Sequence, residues 1–172
     1  MANTYTLIAS NTVGSGGAAS IEFTSIPQTY TDLFLATSLR TSETEVNNWV
    51  KLTFNNTAGT SNNVLYVRGN GTDVVSTTGF SSDFMRGVIA NGSLSTGSVF
   101  GSNSVYIPNY TSSNQKTASI EGVMENNATS HYIVMTASRL TNTAAVTSIQ
   151  LTAYAASLDQ YSTAYLYGIK NS

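Results

Sequence analysis

The chain has 172 residues, of which nearly half are Ser, Thr, Asn or Gly and only 9% are charged. Its length suits one domain of ordinary size, and its 10% of aromatic residues argues against intrinsic disorder. Seven scattered basic residues against nine acidic ones give a net charge of −2, so we expect no basic surface for nucleic acid. The absence of cysteine excludes disulfides and thiolate metal sites.

The first third of the chain predicts three strands, because apolar and polar residues alternate along it. The first strand begins at Tyr5, the second at Ile21, and a stronger one covers Leu33 to Leu39. Neither these runs nor any later one reaches the roughly 20 apolar residues that a membrane span needs, so no membrane contact is expected.

The next two runs predict a hairpin. Trp49–Phe54 and Val64–Arg68 both alternate, and the segment between them begins with the turn residues Asn55-Asn56-Thr57-Ala58-Gly59. A further strong turn signal, Gly69-Asn70-Gly71, follows the second run. We therefore expect these two strands to be neighbours in one sheet.

The middle of the chain fits two structures. Ser81-Ser82-Asp83 followed by the apolar positions of Phe84–Ile89 predicts a short helix with an N-terminal cap, ended by Asn91-Gly92. Val88 and Ile89 would also suit a strand.

The second half predicts five strands in regular succession, with no helical pattern between them. These strands lie within Val99–Ile107, Lys116–Met124, His131–Leu140, Thr143–Tyr154 and Thr163–Ile169. The total of about nine to eleven strands predicts one antiparallel β-sandwich of jelly-roll type, an all-β fold that spans residues 1–172 as a single domain.

Residues that commonly carry chemistry are few and dispersed. His131 is the single histidine, so the chain cannot supply a pair of histidines as metal ligands. The segment Gly14–Gly17 lacks the Gly-Lys-Ser/Thr ending of a phosphate-binding loop, and no calcium-loop spacing links the nine carboxylates. We predict no catalytic residue, no metal and no cofactor. A hydrolase of cell-surface polysaccharide, which would need two paired acids, is a further alternative.

Aromatic residues are the best candidates for contacts with a partner. Tyrosine is concentrated late in the chain, and its large ring and hydroxyl group suit a subunit interface, a carbohydrate groove or core packing. The residues that we assign to a candidate interface are Trp49, Tyr106, Tyr110, Tyr161, Tyr165 and Tyr167.

Four segments resemble proteins of tailed bacteriophages, notably those of marine and freshwater hosts, including cyanobacteria. They are Gly14–Leu33, Tyr106–Ser130, Asn142–Leu151 and Tyr161–Ser172. The segment Arg40–Ser104 matches least. The family is generally described as virion structural protein, so the resemblance implies a small β-sandwich component of the particle with no catalytic residues to carry over.

Together these features favour a capsid decoration (cement) protein that lies on the outside of the phage head. Its partners would be the major capsid protein or other virion proteins, and we expect a homo-oligomer, a trimer, because low net charge favours association. The small domain with no long anchor at either end is consistent with this role. The alternative is a tail-fibre or tail-tip domain whose hydroxyl-rich loops and tyrosines contact host glycan.

Overall fold

Alternating apolar and polar residues place one side of nearly every strand in a core. The computed structural model describes residues 4–56, 62–82 and 84–170, and it contains twelve strands and no helix in those ranges. In these ranges there is thus no helix that is long and apolar enough to cross a membrane. The strands are β1 (Tyr5–Thr12), β2 (Ser20–Phe23), β3 (Asp32–Leu39), β4 (Asn47–Phe54), β5 (Asn62–Gly69), β6 (Val74–Ser82), β7 (Met85–Asn91), β8 (Gly101–Ile107), β9 (Lys116–Glu125), β10 (His131–Leu140), β11 (Ile149–Ala153) and β12 (Thr163–Ile169).

The strand pairing is that of a jelly roll. β1 pairs with β12, β2 with β11, β3 with β8 and β4 with β7, as in a long antiparallel ribbon. The ribbon is rolled up, because β12 also pairs with β3 and β11 also pairs with β4. The result is two four-stranded layers with the orders β1-β12-β3-β8 and β2-β11-β4-β7. The predicted fold class, an antiparallel β-sandwich of jelly-roll type, is confirmed.

Two inserted hairpins enlarge one of the layers. The β5–β6 hairpin lies between β4 and β7 in the chain, and the β9–β10 hairpin lies between β8 and β11. Both join the layer next to β8, which gives an eight-stranded sheet of order β1-β12-β3-β8-β9-β10-β5-β6. We call β9, β10, β5 and β6 the extension, the eight-stranded sheet the large sheet, and the four-stranded sheet the small sheet.

The main core lies between the inner faces of the two sheets. Inward residues of β11, Ile149, Leu151 and Ala153, are buried there as the sequence predicts. Leu33, Leu35 and the other inward residues of β3 are buried opposite them. Burial of such side chains contributes about 1.5–3 kcal/mol each, so this layer dominates the stability of the sandwich.

A second, smaller core covers the other side of β7. Ile89 on β7 packs with Met124 on β9 and Val134 on β10, and Trp49 and Tyr66 pack against this cluster. Asn103 on β8 closes the free edge of β7: it accepts a hydrogen bond from the Ile89 N–H (2.8 Å) and donates one to the Ile89 carbonyl (2.9 Å). The extension therefore covers part of the outer face of the small sheet.

Glycine permits this close approach of β7 to the large sheet. Gly87 has a φ of 136° and lies at the register shift between β4 and β7, and a Cβ there would stand 2.7 Å from the hydroxyl oxygen of Thr136 on β10. A Cβ at Gly122 on β9 would meet the Ile89 side chain at 2.8 Å. Larger residues at either position would push the extension away from the small sheet.

One sequence-based prediction is wrong. β4 and β5 do not form a hairpin: β4 pairs with β7 and β11 in the small sheet, whereas β5 pairs with β6 and β10 in the large one. Of the two structures that fit the middle of the chain, the strand is confirmed and the helix is wrong: the segment after Phe84 is the strand β7, whose side chains are buried on both sides. The turn at Asn55-Asn56 exists, with positive φ at both residues, while Thr57–Gly59 and the capping Asp83 lie outside the described residues.

Candidate functional site

The groups that could perform chemistry are dispersed. His131 is exposed at the start of β10, beside the turn at Gly71. The Asp159 carboxylate pairs with Arg40 at 3.2 Å, at one end of the sandwich. In the part of the chain that the structure describes, no three His, Asp or Glu side chains converge as metal ligands would. The candidate binding surfaces of this protein therefore lie on the outer faces of the sheets.

Five large aliphatic side chains lie together on the outer face of the extension, and we call them the aliphatic patch. Ile133 lies opposite Val123 on β9, and Met135 lies opposite Val67 on β5. Leu65 is two residues from Val67 and therefore on the same face. Each side chain has an exposed fraction between 45% and 56%. The exposed Glu121 of β9 lies directly opposite Met135 on the same face. Exposed aliphatic side chains grouped in this way are typical of a binding surface.

Two adjoining depressions lie at the aliphatic patch, the larger beside it and the smaller within it. One, of about 440 Å³, lies between β5, β9 and β10 and reaches Tyr106 and Pro108. The other, of about 280 Å³, lies between Val67 and Met135. Both are lined by Leu65, Ser119 and Ala137. Because two of these residues are small, the surface is grooved and can receive side chains of a partner.

The jelly-roll half of the same outer face is aromatic. Tyr5, Phe34 and Tyr167 contact one another with ring centres 5.9–6.5 Å apart. Tyr165 and Tyr106 lie beside them and are partly exposed. We call these five residues the aromatic patch. Large amphipathic rings of this kind are enriched in protein interfaces.

Tyr106 is fixed by a neighbouring carboxylate. Its hydroxyl donates a 2.8 Å hydrogen bond to Asp32, whose other oxygen accepts the backbone N–H of Asn109. The hydrogen bond to Asp32 raises the pKa of Tyr106, and burial and the charge of Asp32 act in the same direction. The ring is therefore held in one orientation at the boundary between the aromatic patch and the larger depression.

The structure separates the six aromatic residues assigned to an interface. Tyr106, Tyr165 and Tyr167 lie together on the outer face of the large sheet. Tyr161 is 67% exposed, but it lies in the loop before β12, beside a different, polar depression near Arg40. Trp49 is half-buried under the extension, where its ring centre lies 5.6 Å from that of Tyr66.

Tyr110 is a core residue. Its side chain is completely buried, its hydroxyl donates to the carbonyl of Pro27, and burial raises the pKa of its phenol. It has no surface left to offer a partner, so the assignment of Tyr110 to an interface is corrected. Sequence alone could not distinguish it from Tyr106, because both are tyrosines that flank Pro108 at the end of β8.

The outer face of the small sheet carries a different depression, which we call the small-sheet depression. It has a volume of about 470 Å³ and lies where the extension does not reach. It is lined mainly by polar and aromatic side chains: Lys51, Thr53, Asn56, Phe84, Gln150, Thr152 and Tyr154. Sequence reasoning did not find this group, because its members come from strands that are far apart in the chain.

No protein-family model matches this chain, and no curated protein or solved structure matches it either.

Proposed function

We propose that this protein is a structural protein of a tailed-bacteriophage particle, an outer capsid decoration protein that stabilises the head without catalysis. The observation that carries the proposal is the aliphatic patch, which leaves five large apolar side chains in contact with water on a regular sheet. A partner surface that covered them would remove this unfavourable exposure.

The fold and the resembling segments support a role in the particle. Jelly rolls build viral capsid domains as well as lectins, so the fold is compatible with this class without defining it. The four phage-like segments include the whole of β2, β9 and β12. The least similar segment, Arg40–Ser104, contributes Leu65 and Val67 of β5 to the patch. We expect the strands of the phage-like segments to be shared among these proteins, and the contact surface to which Arg40–Ser104 contributes to differ from one phage particle to another.

The strength of a single contact explains why we propose an oligomer. Complete burial of five half-exposed aliphatic side chains would contribute roughly 1 kcal/mol each, about 5 kcal/mol in total. Association of two proteins costs roughly 4–15 kcal/mol, so one patch alone would bind weakly. A trimer presents three patches at once and gains by avidity, which is why we propose that three copies act together on the shell.

The test is binding to bare heads of the phage particle to which the protein belongs. Purified protein should sediment with the heads and raise their melting temperature, and light scattering should give the mass of a trimer. A protein with the exposed patch disrupted, Met135→Glu, should fail in the sedimentation assay. Absence of binding by the unaltered protein would eliminate the decoration role.

The position in the particle needs a separate measurement, because a tail-associated role was the alternative expected from the sequence. Gold-labelled antibody applied to intact particles should label the head surface. Label at the tail tip would replace the decoration role with the tail-fibre alternative.

A further inference from the structure

The small-sheet depression is built on a rigid framework. Along β4 and β11, the side chains that point inward belong to the main core, so those that point outward have fixed positions. Lys51 lies directly opposite Thr152, and Thr53 lies directly opposite Gln150. Directly opposed residues of neighbouring strands have Cβ atoms about 5 Å apart. One cation and three uncharged hydrogen-bonding groups therefore form a compact square.

Aromatic rings form one wall of the depression. Tyr154 is 51% exposed, and its ring meets that of Phe84 edge to face at 6.0 Å. The Lys51 ammonium lies 4.8 Å from the centre of the Tyr154 ring and 5.6 Å from that of Phe84. The rings thus hold the ammonium over the depression by cation–π attraction.

The charge of Lys51 is available to a ligand. Among the residues that the structure describes, no carboxylate lies within 4.0 Å of the Lys51 ammonium. The nearby acid on this face, Glu22, lies opposite Gln150 and accepts a hydrogen bond from Asn56 at 3.3 Å. An anionic group is therefore attracted to the Lys51 corner and repelled from the Glu22 corner, which orients a ligand that carries one charge.

We propose that the small-sheet depression binds an acidic saccharide, a sugar with a carboxylate. The carboxylate would pair with Lys51, and the sugar hydroxyls would bond to Thr53, Gln150 and Thr152, whose side chains both donate and accept. The exposed Tyr154 ring would pack against the apolar edge of the sugar. The volume of about 470 Å³ lies within the range of small-molecule sites and suits a short segment of a polysaccharide.

The geometry favours a carboxylate over a phosphate. Phosphate sites use several backbone N–H groups or a bidentate arginine, and here the square supplies one ammonium and uncharged side chains. An exposed ion pair contributes only about 0.2–1 kcal/mol. We therefore expect a dissociation constant near the millimolar range for one site, with tighter binding when several copies act on one polymer. This role is additional to assembly and does not depend on it.

The experiment uses the purified protein on an array of carboxylated, sulfated and neutral glycans, followed by NMR titration with a trisaccharide of galacturonic acid. We expect binding to the carboxylated glycans, chemical-shift changes at Gln150 and Thr152, and weaker binding at higher salt. Lys51→Gln should raise the dissociation constant about two- to fivefold. Lys170→Gln, which removes an exposed lysine at the end of β12, is the matched control and should bind as the unaltered protein does.

Three outcomes would overturn the proposal. They are no binding to any carboxylated glycan, equal binding to neutral or sulfated glycans, and unchanged binding by Lys51→Gln. Thermal unfolding of both variants should match that of the unaltered protein, since neither side chain is part of a core. A negative result in the glycan-binding experiments would not change the expected binding to heads, so the two proposals are tested separately.

Discussion

Side chains alternate between the inner and the outer face in both sheets, but the two outer faces differ in whether the chain itself covers their apolar side chains. On the small sheet, the apolar side chains that point outward, Trp49 and Ile89, are covered by the extension, and the uncovered part of that face carries polar side chains and the rings of Phe84 and Tyr154. On the extension itself, five outward side chains are aliphatic and no described residue covers them. The chain thus covers part of one face by itself, and we propose that a second molecule covers the aliphatic patch on the other.

The largest effect should come from the two hydrogen bonds by which Asn103 on β8 joins the large sheet to β7, the edge strand of the small sheet. Asn103→Leu keeps the size of the side chain but leaves the N–H and the carbonyl of Ile89 without a partner. Each buried, unsatisfied group costs about 1–3 kcal/mol, so we expect the two together to lower the free energy of unfolding by roughly 2–6 kcal/mol. Urea unfolding measures it.

The control for this prediction is Asn114→Leu, at an exposed position in the loop before β9. We expect a change within about 0.5 kcal/mol there. Equal stabilities of the two variants would mean that Asn103 does not hold the edge of β7.

The second prediction addresses the uncovered face directly. Met135→Glu places a charge at the centre of the aliphatic patch, and we expect binding to heads to fall by roughly tenfold or more, because the charge would have to be buried at the contact. The free energy of unfolding should fall by less than about 1 kcal/mol, since the side chain faces water in the free protein and the new charge meets only repulsion from Glu121, directly opposite on β9. Sedimentation with heads measures the loss.

Thr152→Glu is the matched control, since it introduces the same charge within a strand on the outer face of the small sheet. It should bind heads as the unaltered protein does. If both variants lost binding equally, the two faces could not be distinguished in function, and the aliphatic patch would not be the contact surface.

The strands themselves could be predicted from sequence, but their partners could not. Ile149, Leu151 and Ala153 alternate with polar residues and are buried as predicted. The same signal in β4 and β5 suggested a hairpin, yet β5 belongs to a hairpin inserted between β4 and β7 and lies in the other sheet. Local alternation says which residues share a face and carries no information on which distant strand lies alongside.

The candidate surfaces show the same limit. The alternation of β10 already has apolar residues on both faces, with Val134 on one side and Ile133 and Met135 on the other. This pattern predicts that both faces of β10 are covered. The local sequence does not indicate that one of the two faces is exposed to solvent. Tyr106 and Tyr110 differ likewise only in tertiary position. The small-sheet depression joins Lys51 to Tyr154, which are about a hundred positions apart in the sequence.

The third prediction measures how firmly the extension covers Trp49, the single tryptophan of the chain. Tyr66→Ala removes the ring that lies 5.6 Å from that of Trp49. We expect a loss of about 1–2 kcal/mol in the free energy of unfolding and a shift of the tryptophan emission to longer wavelength, because water would reach the indole ring.

Tyr154→Ala, on the uncovered part of the same face, is the control and should leave the emission of Trp49 unchanged. If the unaltered protein already emitted like tryptophan in water, the extension would not shield this ring.

The smallest effect concerns a buried cation at the root of the extension. Lys116 begins β9, is almost fully buried, and donates from its ammonium to the carbonyls of Ser112 and Asn114 at 2.6 Å and of Thr143 at 3.2 Å. Burial lowers the pKa of Lys116 below its ordinary value of 10.5. The unfolded chain therefore holds the proton more strongly than the folded chain does, and stability rises with pH through the interval between the lowered value and 10.5.

Lys116→Met isolates this contribution, because it removes the titration and keeps an unbranched apolar stem. We expect the difference in free energy of unfolding between the unaltered protein and Lys116→Met to move in favour of the unaltered protein between about pH 7 and about pH 10. Tyr106 and Tyr110, whose pKa values are raised, are present in both proteins, so their contribution cancels in the difference. A difference that stayed constant over this interval would mean that the ammonium keeps its proton equally well in both states, as a solvated lysine at the edge of the extension would.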